Sequence, residues 1–184
     1  MALINDRIVR MVFILSCMTW LFVILSFTTP WFRSIVHSGT DQNQFAMFWS
    51  DTGDVRKAIG VLLELAVGSA TLVLAISFRI LRIDQLTRTS AVWIFVHATL
   101  CFITAAVTGT SAILACVWLS DFYSVNLYAV GSDGSILPQP TLFVGFFFAV
   151  FAFAASFATF IYTLIVYYRK TKAIPSYHKG PVRQ

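Results

Sequence analysis

The chain is 184 residues long and 58% hydrophobic, against about 45–50% in soluble domains. Charged residues make up 11% where about 25% is usual, and eighteen Phe, five Trp and six Tyr add a heavy aromatic load. These figures exclude a disordered chain, a nucleic-acid-binding domain and a disulfide-rich secreted scaffold, and leave an integral membrane protein of one domain.

The gaps between charges give the spans. No charge falls between Arg10 and Arg33, a run of 22 residues, and the 21 residues between Lys57 and Arg79 carry only Glu64. Residues 89–120 and 134–168 carry no charge at all. Each run meets the roughly 20 residues that a helix needs to cross the hydrocarbon core, and lipid cannot satisfy backbone groups, so each run should be helical. The expected spans are 11–29, 58–78, 91–119 and 142–168. The first is expected to remain a span and not a cleaved leader, because it exceeds the usual apolar stretch of about 7–15 residues and no small-x-small site follows it.

The expected fold is therefore an all-α integral membrane protein, a left-handed bundle of four transmembrane helices with short extracellular loops. Orientation follows from the basic residues. Ten of them (Arg7, Arg10, Arg79, Arg82, Arg88, Arg169, Lys170, Lys172, Lys179 and Arg183) fall on one side and three (Arg33, Arg56, Lys57) on the other. The positive-inside rule puts both termini in the cytoplasm, with Trp31, Trp118 and Tyr123 at the outer interface and Trp93, Tyr167 and Tyr168 at the inner one. Residues 169–184 form a basic cytoplasmic tail, expected to be irregular because of Pro175 and Pro181 and to lie near anionic lipid.

Small residues mark where helices can approach in lipid. In the fourth span Gly145, Ala149, Ala152, Ser156, Thr159 and Thr163 form a heptad-like seam suited to left-handed packing, with Phe residues over the remaining surface. Ala98, Cys101, Ala105, Gly109, Ala112 and Cys116 form a similar stripe in the third span. Gly60, Glu64, Gly68, Thr71 and Ala75 form one in the second.

Glu64 is the one carboxyl group inside a span. A charge at a helix centre costs about 2.5–3.5 kcal/mol on the insertion scale. Because it shares the small-residue stripe, it is expected to face into the bundle, hydrogen-bonded to Thr108, Thr110 or Ser111 at the same depth. A cation or proton site is the alternative use. His97, nearer the cytoplasmic end of the third span, is expected to hydrogen-bond between helices. HExxH, CxxC, Walker A and GxGxxG are all absent, so no catalytic, cofactor-binding or metal-ligating residues are assigned and an enzyme is not expected. The expected partners are membrane lipids and other membrane proteins or further copies of the chain, with no nucleic acid and no evident small-molecule substrate. The three cysteines lie within spans, and no N-glycosylation sequon occurs.

The first outer loop sets Phe45, Phe48 and Trp49 beside charged and amide side chains. Together with Trp31 these are the candidate contact residues, since interface hot spots combine buried aromatics with a polar rim. The polar stretch 38–44, bracketed by Trp31 and Trp49, suits a short hairpin folded onto the membrane.

On these residues the chain resembles the claudin and peripheral-myelin-protein tetraspans. Pro30-Trp31 closes span one, Trp49 stands in the place of the family's Gly-Leu-Trp motif, and Arg56 precedes span two. A long third span then leads to Trp118 and Asp121-Phe122-Tyr123. The loop cysteine pair that pins that family's extracellular sheet is missing. The layout is also similar to the MARVEL tetraspans, which need no loop disulfide. The first resemblance implies a non-catalytic scaffold organising cell–cell contacts; the second implies a role in membrane apposition and vesicle traffic. A channel or transporter accessory subunit using Glu64 is a further alternative. Each reading implies a plasma-membrane or vesicle location.

Overall fold

A computed structural model describes residues 6–36, 42–46, 54–82, 88–126 and 139–172. Four helices dominate it: α1 (Asp6–Thr28), α2 (Asp54–Leu81), α3 (Arg88–Asn126) and α4 (Val144–Lys172). Each is long and apolar enough to cross a membrane. The helices form a ring in which α1 packs on α2 and α4, and α3 packs on α2 and α4. At 39 residues, α3 runs about 58 Å at 1.5 Å per residue, well beyond a hydrocarbon core of about 30 Å. Helix α4 continues to Lys172, so residues 169–172 are helical and not irregular as expected. The rest of the tail lies outside the described residues.

The architecture is not helical throughout. Strands β1 (Phe32–Val36), β2 (Gln42–Ala46) and β3 (Gln139–Leu142) form an antiparallel sheet in the order β2-β1-β3. The β1–β2 pair is the hairpin that the polar stretch suggested, with Phe32 opposite Ala46 and Val36 opposite Gln42. Strand β3 comes from the other loop and pairs Phe32 with Leu142 and Ile35 with Gln139. It contains Pro140, tolerable because β3 is an edge strand with one side free of ladder bonds. Strand β1 begins four residues after α1 ends, and β3 ends two residues before α4 begins, so the sheet is fixed to the ends of both helices.

The interior is layered. Trp31, Phe32, Ile59, Leu63, Ala115 and Ala149 fill the end beneath the sheet. Val23, Ala66, Ala70 and Ala152 make a thin middle layer, and Val9, Val12, Ile80, Ile94 and Val166 fill the opposite end. The α4 seam faces inward as a unit: Ala149, Ala152, Ser156, Thr159 and Thr163 are all buried, and so is Gly145. On α3, Ala98, Cys101, Ala105 and Ala112 are buried too, while Cys116 is exposed. Small side chains let these helices approach closely, as packing-driven association in lipid requires. Phe147, Phe151, Phe153 and Phe157 cover the outside of α4.

Candidate functional site

The residues with the most specific geometry lie where α1 meets the sheet. Helix α1 ends at Thr28, which leaves its last carbonyls without helical partners. The Thr29 amide and hydroxyl both donate to the Leu25 carbonyl, at 3.0 and 2.6 Å, and the Thr28 hydroxyl donates to Ile24 at 2.9 Å. The Ser26 carbonyl is taken by an indole: Trp31 Nε1 donates to it at 2.7 Å. Pro30 breaks the helix and the chain folds the Trp31 side chain back under its own helix end.

Backbone bonds then tie this corner to α4. The Phe143 amide donates to the Trp31 carbonyl at 2.7 Å, and the Gly145 amide donates to the Pro30 carbonyl at 2.9 Å. Gly145 gives the indole its room, since a Cβ there would come within 2.7 Å of the Thr29 oxygen and 2.8 Å of Trp31 Nε1. Phe146 meets the indole edge-on, ring centroids 6.2 Å apart.

Beside this corner, Phe32 and Trp118 lie with centroids 4.8 Å apart. The Arg56 guanidinium sits 4.3 Å from the Trp118 centroid and 5.6 Å from that of Phe32. The planar cation is drawn to the ring faces, an interaction that strengthens away from water. The structure thus joins the start of α2 (Arg56), the extension of α3 (Trp118) and the first residue of β1 (Phe32) in one stack. Three positions that sequence reading singled out separately, Trp31, Arg56 and Trp118, form one aromatic cap. Phe32 was missed, its only signal being that it follows Trp31; Phe146, expected with the other Phe residues over the outer surface of α4, is half-buried against Trp31 instead.

Trp31 is fully buried. This corrects its expected place among the contact residues, because a side chain closed off by Phe146 and its own helix end cannot face a partner. Phe45 lies in β2 opposite Arg33, with nothing described of its side chain. Phe48 and Trp49 lie outside the described residues.

Deeper in the bundle, His97 is fully buried and bridges three helices. Its Nε2 lies 3.3 Å from Ser16 Oγ on α1, and its Nδ1 lies 3.1 Å from Thr163 Oγ1 on α4. Cys101 Sγ, one turn along α3, is 3.6 Å from Nδ1. A neutral imidazole offers one donor and one acceptor. One ring nitrogen therefore donates to a hydroxyl that passes its own hydrogen to a backbone carbonyl, as Thr163 does to Thr159 at 2.7 Å and Ser16 to Val12 at 2.8 Å; the other nitrogen accepts from the Cys101 thiol or from a hydroxyl that turns away from its carbonyl. A second cross-helix bond runs from Thr104 to Ser69 at 2.8 Å.

Glu64 does not face this interior. The inward face of α2 is Ile59, Leu63, Ala66, Ser69, Ala70, Val73, Ser77 and Ile80, whereas Glu64, Gly68, Thr71 and Ala75 are exposed. The expected bonds from Glu64 to Thr108 or Ser111 are accordingly absent. Both hydroxyls are buried and bonded within α3, to Thr104 at 2.8 Å and Val107 at 2.9 Å. Two rows of α2 carry small residues, and the one that packs into the core is Ala66, Ser69, Ala70 and Ser77, with Ile59, Leu63, Val73 and Ile80 beside it. Among the described residues no group of three or more His, Cys, Asp or Glu is placed to hold a metal ion.

No protein-family model matches the chain, and no curated protein sequence matches it.

Proposed function

We propose that the chain is a non-catalytic four-span membrane scaffold of claudin-like layout, with both termini cytoplasmic. It organises cell–cell or membrane contacts, or accompanies a partner membrane protein, at the plasma membrane or on vesicles. The observation that carries this reading is the stack of Arg56 on Trp118 and Phe32 beside the buried Trp31. The resemblance to claudins rests on Trp31, Arg56 and Trp118, and these meet at one place under a sheet built from both loops. A base of this kind holds the sheet in a fixed orientation, which contact recognition needs. The sheet favours the claudin-like reading over the MARVEL-like one, since only the former resemblance implies strands in the outer loops. The outward position of Glu64 counts against a pore lined by that residue within a single bundle.

The test is to express the full chain with a fluorescent tag in cells that form contacts. Enrichment at borders between two expressing cells, relative to free edges, is expected. Arg56→Ala should reduce that enrichment while the protein still reaches the surface. Uniform distribution over the surface, with no enrichment at borders, overturns the contact reading.

A further inference from the structure

We infer that a water molecule bound inside the bundle bridges Thr19 of α1 to Ser156 of α4. Both residues are buried, 1% and 0% exposed, and among the described residues neither hydroxyl oxygen has a hydrogen-bond partner. Other buried hydroxyls give their hydrogen to a carbonyl of their own helix: Ser16 to Val12, Thr108 to Thr104, Ser111 to Val107 and Thr159 to Ala155. Neither Thr19 nor Ser156 takes the carbonyl one turn back in this way. A hydroxyl shut away from bulk water with nothing to bond costs free energy. Proteins meet that cost with ordered water where two or more polar groups converge.

Convergence follows from the packing. Val23 of α1 and Ala152 of α4 share the middle layer with Ala66 and Ala70. The two helices run in opposite directions, since the end of α1 meets the start of α4 at the Trp31 corner. Thr19 lies one turn before Val23 and Ser156 one turn after Ala152, so both stand at one level, on the side of that layer away from the sheet. Beyond them lie Ser16 and Thr163, already joined through His97. The site is thus a polar level between a layer of short apolar side chains and the imidazole bridge. A water there accepts from one hydroxyl and donates to the other. Its second hydrogen has a taker in Thr159, on the same buried row about one turn along α4, which gives its own hydrogen to Ala155 at 2.7 Å and keeps a lone pair. Ser26, whose oxygen is also unpartnered, lies two turns from Thr19, roughly 10 Å along the axis, and is not part of this site.

The experiment reconstitutes the full-length, isotope-labelled chain into phosphatidylcholine bilayers and follows magnetisation transfer from water protons to side-chain carbons by solid-state NMR. Transfer should reach the β carbons of Thr19 and Ser156 early. It should reach those of Thr108 and Ser111, equally buried but bonded within α3, late. In Thr19→Val, which keeps the shape and removes the hydroxyl, early transfer to Ser156 should be lost. Unfolding in mixed micelles gives an independent readout. Thr19→Val and Ser156→Ala should each shift the equilibrium about threefold toward the unfolded state, the size of one hydrogen bond between membrane helices. The double variant should shift it no further than either single change, because both remove the same bridge. Late transfer at both positions in the parent overturns the proposal, whatever the variants do. Single variants more stable than the parent also overturn it, since the fold is better without a dry, unbonded hydroxyl; so do single effects that add. Coupling between the two positions without early transfer means a direct bond between the hydroxyls, and overturns the water.

Discussion

The indole of Trp31 occupies the space that any side chain at Gly145 would need, so the end of α1 and the start of α4 are packed backbone to ring. Loss of this arrangement has no cheap remedy, because one of the atoms a Cβ would meet is the Thr29 carbonyl oxygen, at 2.7 Å. Backbone cannot rotate aside as a flexible side chain can. Gly145→Ala is therefore expected to destabilise the fold by about 1–3 kcal/mol, the range for overpacking a closed site, despite the better helix propensity of Ala. Reversible unfolding in mixed micelles, followed by near-UV circular dichroism of the Trp residues, measures it. Equal stability of the variant and the parent would show that the corner is loose.

The Arg56–Trp118 stack makes a separate prediction. A guanidinium held over an indole is worth about 0.5–1 kcal/mol when exposed and about 2 or more when desolvated; Arg56 is half-buried. A double-mutant cycle of Arg56→Ala and Trp118→Ala should give a coupling energy within that range, since residues in contact do not add. Arg56→Lys should keep only part of it, because the planar fork is lost. Additive single effects would remove the stack from the forces that hold the sheet in place.

Much of this architecture was readable from residue order, and the rest fails for identifiable reasons. The spans could be found because lipid requires long charge-free runs, a signal that does not depend on packing. The inward seam of α4 could be found because its small residues recur at heptad spacing between bulky Phe. The same logic misplaced Glu64. In lipid both faces of α2 are apolar, so polarity cannot say which is inside, and α2 carries a second small-residue row, Ala66, Ser69, Ala70 and Ser77, which is the one that took the core. The sheet was only half legible. The hairpin partners are local, but β3 is four residues long, contains Pro140 and pairs with a strand about a hundred residues earlier. Nothing in its own composition announces a strand.

Topology supplies a third prediction. In the proposed four-span topology ten of the thirteen basic residues fall on the side of the termini, a bias that sets orientation when it lies close to the span ends. An Asn-Gly-Ser acceptor placed within residues 131–134 should be glycosylated in microsomes, and the same acceptor placed after Lys179 should not. A mobility shift on denaturing gels reads both. Glycosylation at the tail acceptor alone would invert the assigned orientation.

The last prediction concerns His97, whose ring joins α1, α3 and α4 through Ser16 and Thr163. Hydrogen bonds between membrane helices are individually weak, averaging about 0.6 kcal/mol with a maximum of about 1.7, because the separated helices find other partners. Ser16→Ala and Thr163→Val should each therefore cost no more than about 1–2 kcal/mol. Each removed hydroxyl also bonds a carbonyl of its own helix, Val12 at 2.8 Å and Thr159 at 2.7 Å, and those carbonyls keep their helical amide donors. His97→Ala is different in kind. It deletes both bonds and leaves a cavity in a fully buried position, and large-to-small changes of that sort cost about 2–5 kcal/mol. The expected order of stability is parent, then either hydroxyl variant, then His97→Ala, measured by unfolding under the same micelle conditions. A Ser16→Ala loss as large as that of His97→Ala would mean that the ring is held by the hydrogen bond and not by its packing.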